Sequence, residues 1–509
     1  MTAPGRDSGT LLRGLGIGWR PELAAFIAER RELGFVEVTA EALHTHGPLP
    51  VGLDDLIERG MPVVPHGVSL GLGGTEPLQP ARVAHLAAVA ERVRAPLVSE
   101  HVAFVRANGL EAGHLLPVPR TREAMDVLVA NVRTLSAELA APLALEHPAA
   151  LLRWPEADFG EADFLTELAE RTGALLLLDL ANLHADQINH GVDPHRFLDA
   201  LPWERVAYIH VAGGVVRDGL YHDTHTHPVT DAVLDLLCEV ADRCADQPTS
   251  TDHAVTDSGG MPAVMLERDG RYPSVRELTG ELNTIATAVG RPPAATGRPL
   301  TVVSTPRTGQ RTEPTRQDRP TRAAEPGEPG RPGRRDRRGG LSGPDRVEPG
   351  RDAGHDGDTA GNLRQAQGEL IRALVGGGPA PVGFDPGQVE STRVALLRKR
   401  ADAVARTWPA LSCLPGFHAR FAAFADGRPP AGAYADGVAF AHAAHSDLDR
   451  EARAEQLVAA LARRRLARRR LARRWLAVAT DRRGGGRPLV AIRVPFLGIR
   501  VLGLDREND

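Results

Sequence analysis

Short, unbroken apolar runs alternate with longer amphipathic stretches through the first 290 residues, and this alternation constrains the fold most. The longer stretches place apolar residues three and four positions apart, as helices do. The eight predicted strands cover residues 15–19, 35–39, 63–66, 97–101, 143–146, 175–179, 206–211 and 263–267. Strands that are apolar throughout and alternate with helices form parallel sheets covered by those helices. Eight such units, without a glycine-rich phosphate turn after the first strand, predict an α/β fold of the closed (β/α)8 TIM barrel type.

A change of composition divides the 509 residues. Segment 291–360 contains no Phe, Trp or Tyr and is dense in Pro, Gly, Arg and Asp. Such a segment buries too little apolar surface to offset the entropy of ordering it, so we predict a disordered linker. The predicted organisation is therefore a metal-binding catalytic barrel domain over 1–290, the linker over 291–360, and a smaller, mostly helical C-terminal domain over 361–509.

The C-terminal region carries one biased stretch, AALARRRLARRRLARRWLAVA, over residues 459–479. We favour a helix with a solvated arginine face and a leucine stripe over a nucleic-acid or membrane patch. A basic face that docks an acidic peptide is the second hypothesis. Residues 488–504 predict two strands interrupted near Pro495.

Charge and cysteine usage exclude several classes of protein. The formal net charge is −4, from 61 basic and 65 acidic residues, so no global field recruits or repels nucleic acid. No nucleic-acid partner is expected. The three cysteines are an odd number without metal-type spacing, which argues against a disulfide framework and for a reducing compartment. The N-terminus lacks the apolar core of a secretory signal, and no apolar stretch approaches the roughly 20 residues that span a bilayer. We predict a cytoplasmic protein with no membrane partner.

Metal-capable side chains stand at the ends of most predicted strands, where an α/β barrel has its active site. From the third strand onward these ends and the loops after them read PHG, SEH, LEHP, LDLANLH, IHVAGG, HDTHTH and LERD. Converging buried carboxylates are costly unless they are paired or bound to a cation, so the pattern predicts a metal site. The mixture of imidazole and carboxylate without thiolate favours Fe, Mn or Zn.

The number of candidate ligands favours two or three ions bridged by carboxylates, with Glu146 and Glu267 as natural bridges. From the residues alone two chemistries stay open. A two-metal hydrolase or isomerase would use a bridging hydroxide, and an iron oxygenase or oxidase would keep positions free for substrate and O2. Nucleophilic catalysis has little support, because the cysteines lie away from these strand ends.

The ordered motifs resemble one family. GIGWRPE, FVEVTAE, PHGVSLGLG, APLVSEHVAF, LALEHP, LLLLDLANLHADQINHG, IHVAGG, DTHTHPV and LERD run in the order seen in the multinuclear non-haem iron-dependent oxidative enzymes. That family was long catalogued as domain of unknown function 692, and a member acts in methanobactin assembly. The resemblance covers about residues 15–284. It implies a xylose-isomerase-like barrel with two or three irons of mixed valence, which uses O2 to modify residues, often Cys, of a ribosomally synthesised precursor peptide.

The resemblance also implies roles for individual residues. His66 and His101 would bind one iron. Glu146 and Glu267 would bridge, and Asp179 and His210 would complete the second iron site. The residues around a third position would be Asn182, Asp223 and His225. Asp269 would transfer protons as the catalytic residue, and the second-shell residues would be Glu37, Glu41, Glu100 and His184.

Three histidines depart from the family pattern. His147 stands where Asn is common, His184 where an aromatic residue is frequent, and His227 is additional. Each could add a ligand or alter the third position. Residues 248–260 also read as a local insertion before the last strand.

The leading interpretation is therefore an iron-dependent oxidative enzyme acting on a peptide. Its enzymatic rival is a divalent-metal isomerase or hydrolase on a related barrel, which would run without oxygen. A third interpretation is a non-catalytic adaptor in which the arginine-rich tail is the working part. Family members often need a partner that holds the precursor's leader, and the C-terminal region could be that partner fused in cis.

Overall fold

The computed structural model describes residues 12–246, 260–290, 356–467, 477–481, 489–494 and 498–502. In chain order its strands are β1 (Leu15–Gly18), β2 (Leu33–Thr39), β3 (Val63–His66), β4 (Val98–His101), β5 (Ala103–Ala107), β6 (Leu110–Pro117), β7 (Leu143–Glu146), β8 (Leu175–Asp179), β9 (Val206–Val211), β10 (Gly213–Arg217), β11 (Leu220–His227), β12 (Ala263–Leu266), β13 (Ala477–Asp481), β14 (Leu489–Val494) and β15 (Gly498–Leu502).

The helices lie between the strands and in the C-terminal region. They are α1 (Ala24–Ala28), α2 (Leu53–Glu58), α3 (Pro80–Arg92), α4 (Arg122–Glu138), α5 (Glu161–Thr172), α6 (Leu180–His190), α7 (Pro194–Ala200), α8 (Asp231–Asp246), α9 (Val275–Ala288), α10 (Asp356–Val375), α11 (Pro386–Thr407), α12 (Pro409–Ser412), α13 (Phe417–Ala425), α14 (Ala433–Ala443) and α15 (Arg450–Ala467). No helix in these described ranges is long and apolar enough to cross a membrane.

Eight parallel strands close into a barrel in the order β1, β2, β3, β4, β7, β8, β9 and β12, with β12 pairing back to β1. The predicted (β/α)8 barrel with a smaller, mostly helical C-terminal region is thus confirmed. The barrel interior is a packed core in which Phe35 meets the ring of Tyr208 edge-on at 5.9 Å. Gly16 permits this packing, because a Cβ there would lie 2.5 Å from the Phe35 ring.

Two β-hairpins follow barrel strands, and neither was predicted from the sequence. β5 pairs with β6 after the fourth barrel strand, and β10 pairs with β11 after the seventh. The segment HDTHTH, predicted as a loop, lies in β11 instead. The turns carry the missed signal, since Asn108–Gly109 and Asp218–Gly219 all have positive φ, as type I′ hairpin turns require.

The first two C-terminal helices pack against the barrel side. Leu370, Ile371, Leu374 and Phe384 belong to the same buried cluster as the barrel's helix-facing residues. Phe384 lies edge-on to Trp154, with ring centroids 5.0 Å apart. The remaining C-terminal helices form a second apolar cluster around Trp408, Phe417, Phe421 and Phe440.

Helix α10 begins at Asp356, before the predicted linker end at 360, and the rest of the predicted linker lies outside the described residues. The same is true of all but the last residue of the 248–260 insertion. The two strands predicted near Pro495 are confirmed as β14 and β15. The helix predicted over 459–479 is wrong at its end, because residues 477–479 lie in β13, where backbone pairing with β14 replaces helical hydrogen bonds.

Gln367 joins helix α10 to the barrel, and replacing it by Leu is expected to lower the free energy of unfolding by about 3 kcal/mol. Its buried amide donates to the Gly73 carbonyl at 2.7 Å and accepts from the Thr75 backbone N–H at 3.0 Å. Leucine would leave both backbone groups without a partner. Urea denaturation of the full chain measures the loss. The matched control is Gln365→Leu, on the exposed face of the same helix, and an equal loss in both variants would contradict this account.

Candidate metal centre

Imidazoles and carboxylates from six barrel strands and one hairpin meet at the carboxyl rim of the barrel. They form three overlapping groups whose ligand atoms lie within 4.8 Å of one another: His66, His101 and Glu146; Glu146, Asp179 and His210; Asp179, His225 and Glu267. The barrel geometry explains the convergence, since each barrel residue of these groups lies at the end of a strand or one residue from it.

Glu146 lies between the first two groups. Its Oε2 is 3.6 Å from His66 Nε2 and 3.4 Å from His101 Nε2, while its Oε1 is 4.0 Å from His210 Nδ1. One carboxylate therefore faces three imidazoles, which is the arrangement expected of a bridging ligand.

Glu267 occupies the corresponding place between His210 and His225. Its two oxygens lie 3.2 Å from His210 Nδ1 and 3.2 Å from His225 Nδ1. Asp179 Oδ2 lies 3.8 Å from His210 Nδ1, and the side chain of Asp223 contacts His225 Nε2. The two predicted bridging residues thus each face two neighbouring groups.

Hydrogen bonds orient three of the imidazoles toward the cluster. His66 Nδ1 bonds to Ser99 Oγ at 2.9 Å, His101 Nδ1 to the Gly67 carbonyl at 3.0 Å, and His210 Nε2 to Glu37 Oε2 at 3.0 Å. In each ring the other nitrogen is left facing the carboxylates. Metal-ligating histidines are characteristically held in this way.

Tyr208 and Ser99, which were not predicted as site residues, link these hydrogen-bonding groups inside the barrel. The Tyr208 hydroxyl lies 2.6 Å from Glu37 Oε2 and 2.8 Å from Ser99 Oγ. A consistent set of donors runs from His66 Nδ1–H to Ser99, from the Ser99 hydroxyl to Tyr208, and from the Tyr208 hydroxyl to Glu37. The missed signal was the two-residue period of a strand, which turns Tyr208 to the same side as His210.

Several buried polar atoms of the cluster have no hydrogen-bond partner among the described residues. They are Glu146 Oε2, Asp179 Oδ2, Asn182 Oδ1, His210 Nδ1, Asp223 Oδ1 and His225 Nε2. Burying a polar atom without a hydrogen-bond partner costs folding free energy. Within each of the three groups, the nitrogen and oxygen atoms that could ligate a metal lie within 4.8 Å of one another. The residues present therefore fit bound metal ions.

Burial also shifts the pKa values of several side chains in the cluster. Burial raises the pKa of Glu146 to about 8, against the opposing charges of His101 and His210. Burial and the neighbouring Asp223 raise the pKa of Asp179 to about 6. Burial lowers the pKa of His66 to about 4, so its ring is neutral and able to act as a ligand. A bound cation would stabilise the charged form of the two carboxylates and so offset the effect of burial.

Asn182, Glu100 and Glu41 form hydrogen bonds around the cluster. Asn182 Nδ2 donates to Glu146 Oε1 at 3.2 Å and to the His147 carbonyl at 3.0 Å. Glu100 accepts from the Leu70 N–H at 2.8 Å, and its Oε2 lies 3.6 Å from His101 Nδ1. Glu41 is exposed and accepts from the Val68 N–H at 3.0 Å, so it anchors the loop after β3 and does not contact an imidazole in the described structure.

The three departing histidines are not part of the three groups. The His147 ring lines a separate small cavity with Asp186 and His190. His184 packs edge-on to Tyr221 at 5.0 Å, and its Nδ1 lies 3.4 Å from Gln187 Oε1. His227 Nδ1 bonds to the Thr224 hydroxyl at 2.9 Å.

Arg20 was also missed, although it lies in the motif GIGWRPE. Its guanidinium makes two contacts to Asp269 Oδ1, one of them 3.1 Å from Nε, and lies 3.7 Å from Glu267 Oε1. Burial opposes ionisation of Asp269, but the bond to His225 outweighs it and keeps the pKa of that carboxyl low, with help from Arg20. Asp269 is therefore an ionised acceptor at the edge of the cluster.

A cavity of about 960 Å³ opens above the cluster. Its lining includes His66, His101, Glu146, His225 and Glu267 from the barrel side, and residues of α11 such as Leu396 and Lys399 from the C-terminal side. The candidate ligands are thus accessible to a molecule larger than water.

Comparison with known proteins gives two family matches. Residues 14–290 match the family described as RiPP precursor modification enzyme MbnB/TglH/ChrH, and residues 364–446 match the SCO6045-like, C-terminal domain. A UPF0276 protein of Streptomyces avermitilis is 40% identical over 451 residues, covering 84% of this chain and 86% of that protein. A UPF0276 protein of Caulobacter vibrioides is 36% identical over 272 residues, covering 53% and 92%. Among solved structures, D-allulose 3-epimerase from Methylomonas sp. aligns with a TM-score of 0.33 at 13% identity, covering 55% of this chain and 91% of that one.

Proposed function

The chain belongs to the RiPP precursor modification enzyme family MbnB/TglH/ChrH, and from that premise we propose that it is a multinuclear non-haem iron-dependent oxidative enzyme. Its substrate would be a ribosomally synthesised precursor peptide, modified with O2 and often at Cys. The observation that carries the proposal is the set of overlapping buried groups at the barrel rim, with their unpartnered ligand atoms.

Each group would hold one ion. His66, His101 and Glu146 would hold the first, and Asp179 and His210 would join Glu146 at the second. The third would be held by Asp179, His225 and Glu267, with Asp223 beside it. Two or three bound irons of mixed valence would supply the one-electron chemistry that O2 requires.

The surrounding residues would position the ligands and manage protons. Glu37, Ser99 and the Gly67 carbonyl fix the three imidazole rings, so a substrate would meet a preorganised site. Asp269 Oδ2, 3.4 Å from His225 Nδ1, is placed to accept a proton at the edge of the cavity. Arg20 would hold that carboxylate in place.

The experiment that tests this function starts from full-length protein purified without oxygen. We expect metal analysis with Mössbauer and EPR spectroscopy to report two or three irons per chain, and O2 to be consumed when a precursor peptide is modified. A short Cys-containing reading frame beside the gene is the first peptide to assay by mass spectrometry. Full turnover without O2, with Mn, Mg or Zn, would instead support the isomerase or hydrolase.

Metal affinity is expected to rise as the pH increases toward 9. Burial opposes the charge on His101, but Glu146 and Glu100 outweigh it and raise the pKa of that imidazole to about 9, and the pKa of Glu146 is about 8. Below these pKa values the metal-free cluster holds protons that a metal ion must displace. For each displaced proton, the metal affinity therefore falls roughly tenfold for every unit by which the pH is lowered. Anaerobic titration with Mn²⁺ at several pH values measures the slope, and pH-independent affinity below pH 8 would contradict the prediction.

The C-terminal region is proposed to hold the precursor, as a leader-binding partner fused in cis. Support comes from the position of α11 at the cavity. The domain limits of 361–509 and the cytoplasmic location also stay predictions. Cys238, Cys244 and Cys413 are free thiols in the structure.

A further inference from the structure

The cavity above the cluster has two walls of opposite character. The barrel wall carries the candidate ligands, including Glu146, Asp223 and Glu267. The facing wall comes from α11 and the residues after it, and cationic side chains are prominent there and on the adjacent rim. A molecule in the cavity would touch both walls at once.

Five cations that line the cavity have no carboxylate within 4 Å among the described residues. They are Arg217, Arg271, Lys399, Arg406 and Arg428, of which Arg428 lies over the Phe424 ring. Arg400, on the same wall, is different, because Asp436 accepts from its guanidinium at 2.6 and 2.7 Å. Cations that line a cavity without a protein counter-ion are available to an anionic ligand.

Lys399 reaches from the C-terminal side to a barrel hairpin. Its Nζ lies 3.2 Å from His114 Nε2 on β6, and its ammonium donates to that ring. Burial and the charge of Lys399 hold the pKa of His114 well below its usual range, so the ring is a neutral acceptor. The Lys399 side chain is exposed to solvent in the cavity, and Asp223 and Asp269 lie close enough to interact with its charge. Lys399 therefore places a positive charge over the candidate metal centre.

We propose that this cationic wall binds a carboxylate of the peptide substrate, with Lys399 as the residue that determines specificity. The inference rests on the proposed function in taking a peptide as the substrate. An acidic residue near the modified position would then be bound by Lys399 and the neighbouring arginines while the modified side chain faces the cluster. A nucleic acid fits less well, because Tyr221 is the only Phe, Trp or Tyr among the described residues that line the cavity, which offers no stacking platform for bases.

Peptide binding to the full-length, metal-loaded protein tests the proposal without turnover. The probes are a fluorescein-labelled short peptide with one Cys flanked by Glu residues, and the same peptide with Gln in place of Glu. Anisotropy is measured anaerobically at low and high salt. We expect the Glu peptide to bind at least roughly tenfold more tightly, and Lys399→Gln to remove about that factor. Lys399→Arg is expected to retain most of the preference.

The control removes an exposed cation elsewhere, Arg276→Gln on α9, and is expected to leave both affinities unchanged. Metal content and thermal denaturation of each variant show whether the centre and the fold are intact. Equal affinity for the two peptides, no binding of either, tighter binding of a labelled oligonucleotide, or unchanged affinity in Lys399→Gln would overturn the inference. Precursor oxidation by a protein with any of these results would leave the proposed function standing.

Discussion

Replacing Glu146 by Gln is expected to remove most of the bound metal and to slow peptide oxidation at least about a hundredfold. The residue belongs to two of the three groups and faces His66, His101 and His210 at 3.4 to 4.0 Å. The amide keeps the shape of the side chain but cannot supply the negative charge that a bridging position needs. Metal content and O2 consumption of the purified variant measure the two losses.

The same change should barely affect the stability of the metal-free protein. Burial raises the pKa of Glu146 to about 8, so at neutral pH the metal-free chain already favours the uncharged form, which Gln imitates. Thermal denaturation with and without chelator separates the two effects. Glu138→Gln, on the exposed face of α4, is the control. Full metal content in Glu146→Gln would show that Glu146 is not a ligand.

Removing residues 291–509 is expected to destabilise the barrel by on the order of 5 kcal/mol, a drop of roughly 10 to 20 °C in Tm. Leu370, Ile371, Leu374 and Phe384 share one buried cluster with the barrel, and Trp154 would lose its aromatic neighbour. The truncated chain would expose this apolar surface to water. Thermal denaturation and light scattering of a chain ending at Gly290 measure the loss and any aggregation.

A cleaved full-length protein is the matched control for the truncation. A protease site inserted near residue 320 allows the backbone to be cut while both packed parts remain. We expect the two pieces to elute together and to keep the Tm of the intact chain, because Gln367 and the shared apolar cluster still join them. A truncated barrel as stable as the intact chain would contradict this account. If it also modified the precursor equally well, the proposed role of the C-terminal region would be wrong too.

Local patterns predicted much of the barrel and the composition of its rim. All eight strands end at or within one residue of their predicted ends, and the sequence alone identified His66, His101, Glu146, Asp179, His210 and Glu267 as candidate ligands. The family resemblance, carried by short motifs in order, is confirmed. Asp218–Gly219 could have revealed the hairpin that carries Asp223 and His225, but its polar strand lacks the apolar pattern of a buried one.

The site residues that were not predicted contact partners far away in the sequence. Arg20 reaches Asp269 across 249 positions of sequence, and Tyr208 reaches Glu37 across 171. Lys399 lies 285 positions from His114 and was not identified as a site residue at all. Patterns among neighbouring residues in the sequence cannot predict contacts between residues so far apart.

The barrel and its rim of imidazoles and carboxylates could be predicted from the sequence, because periodicity and composition are properties of neighbours along the chain. Which nitrogen of each imidazole faces Glu146 or Glu267, and the position of α11 along one side of the cavity, follow from the folded chain. Both features depend on hydrogen bonds and packing between residues far apart in sequence, and they exist only once the barrel has closed and α10 and α11 have docked against it.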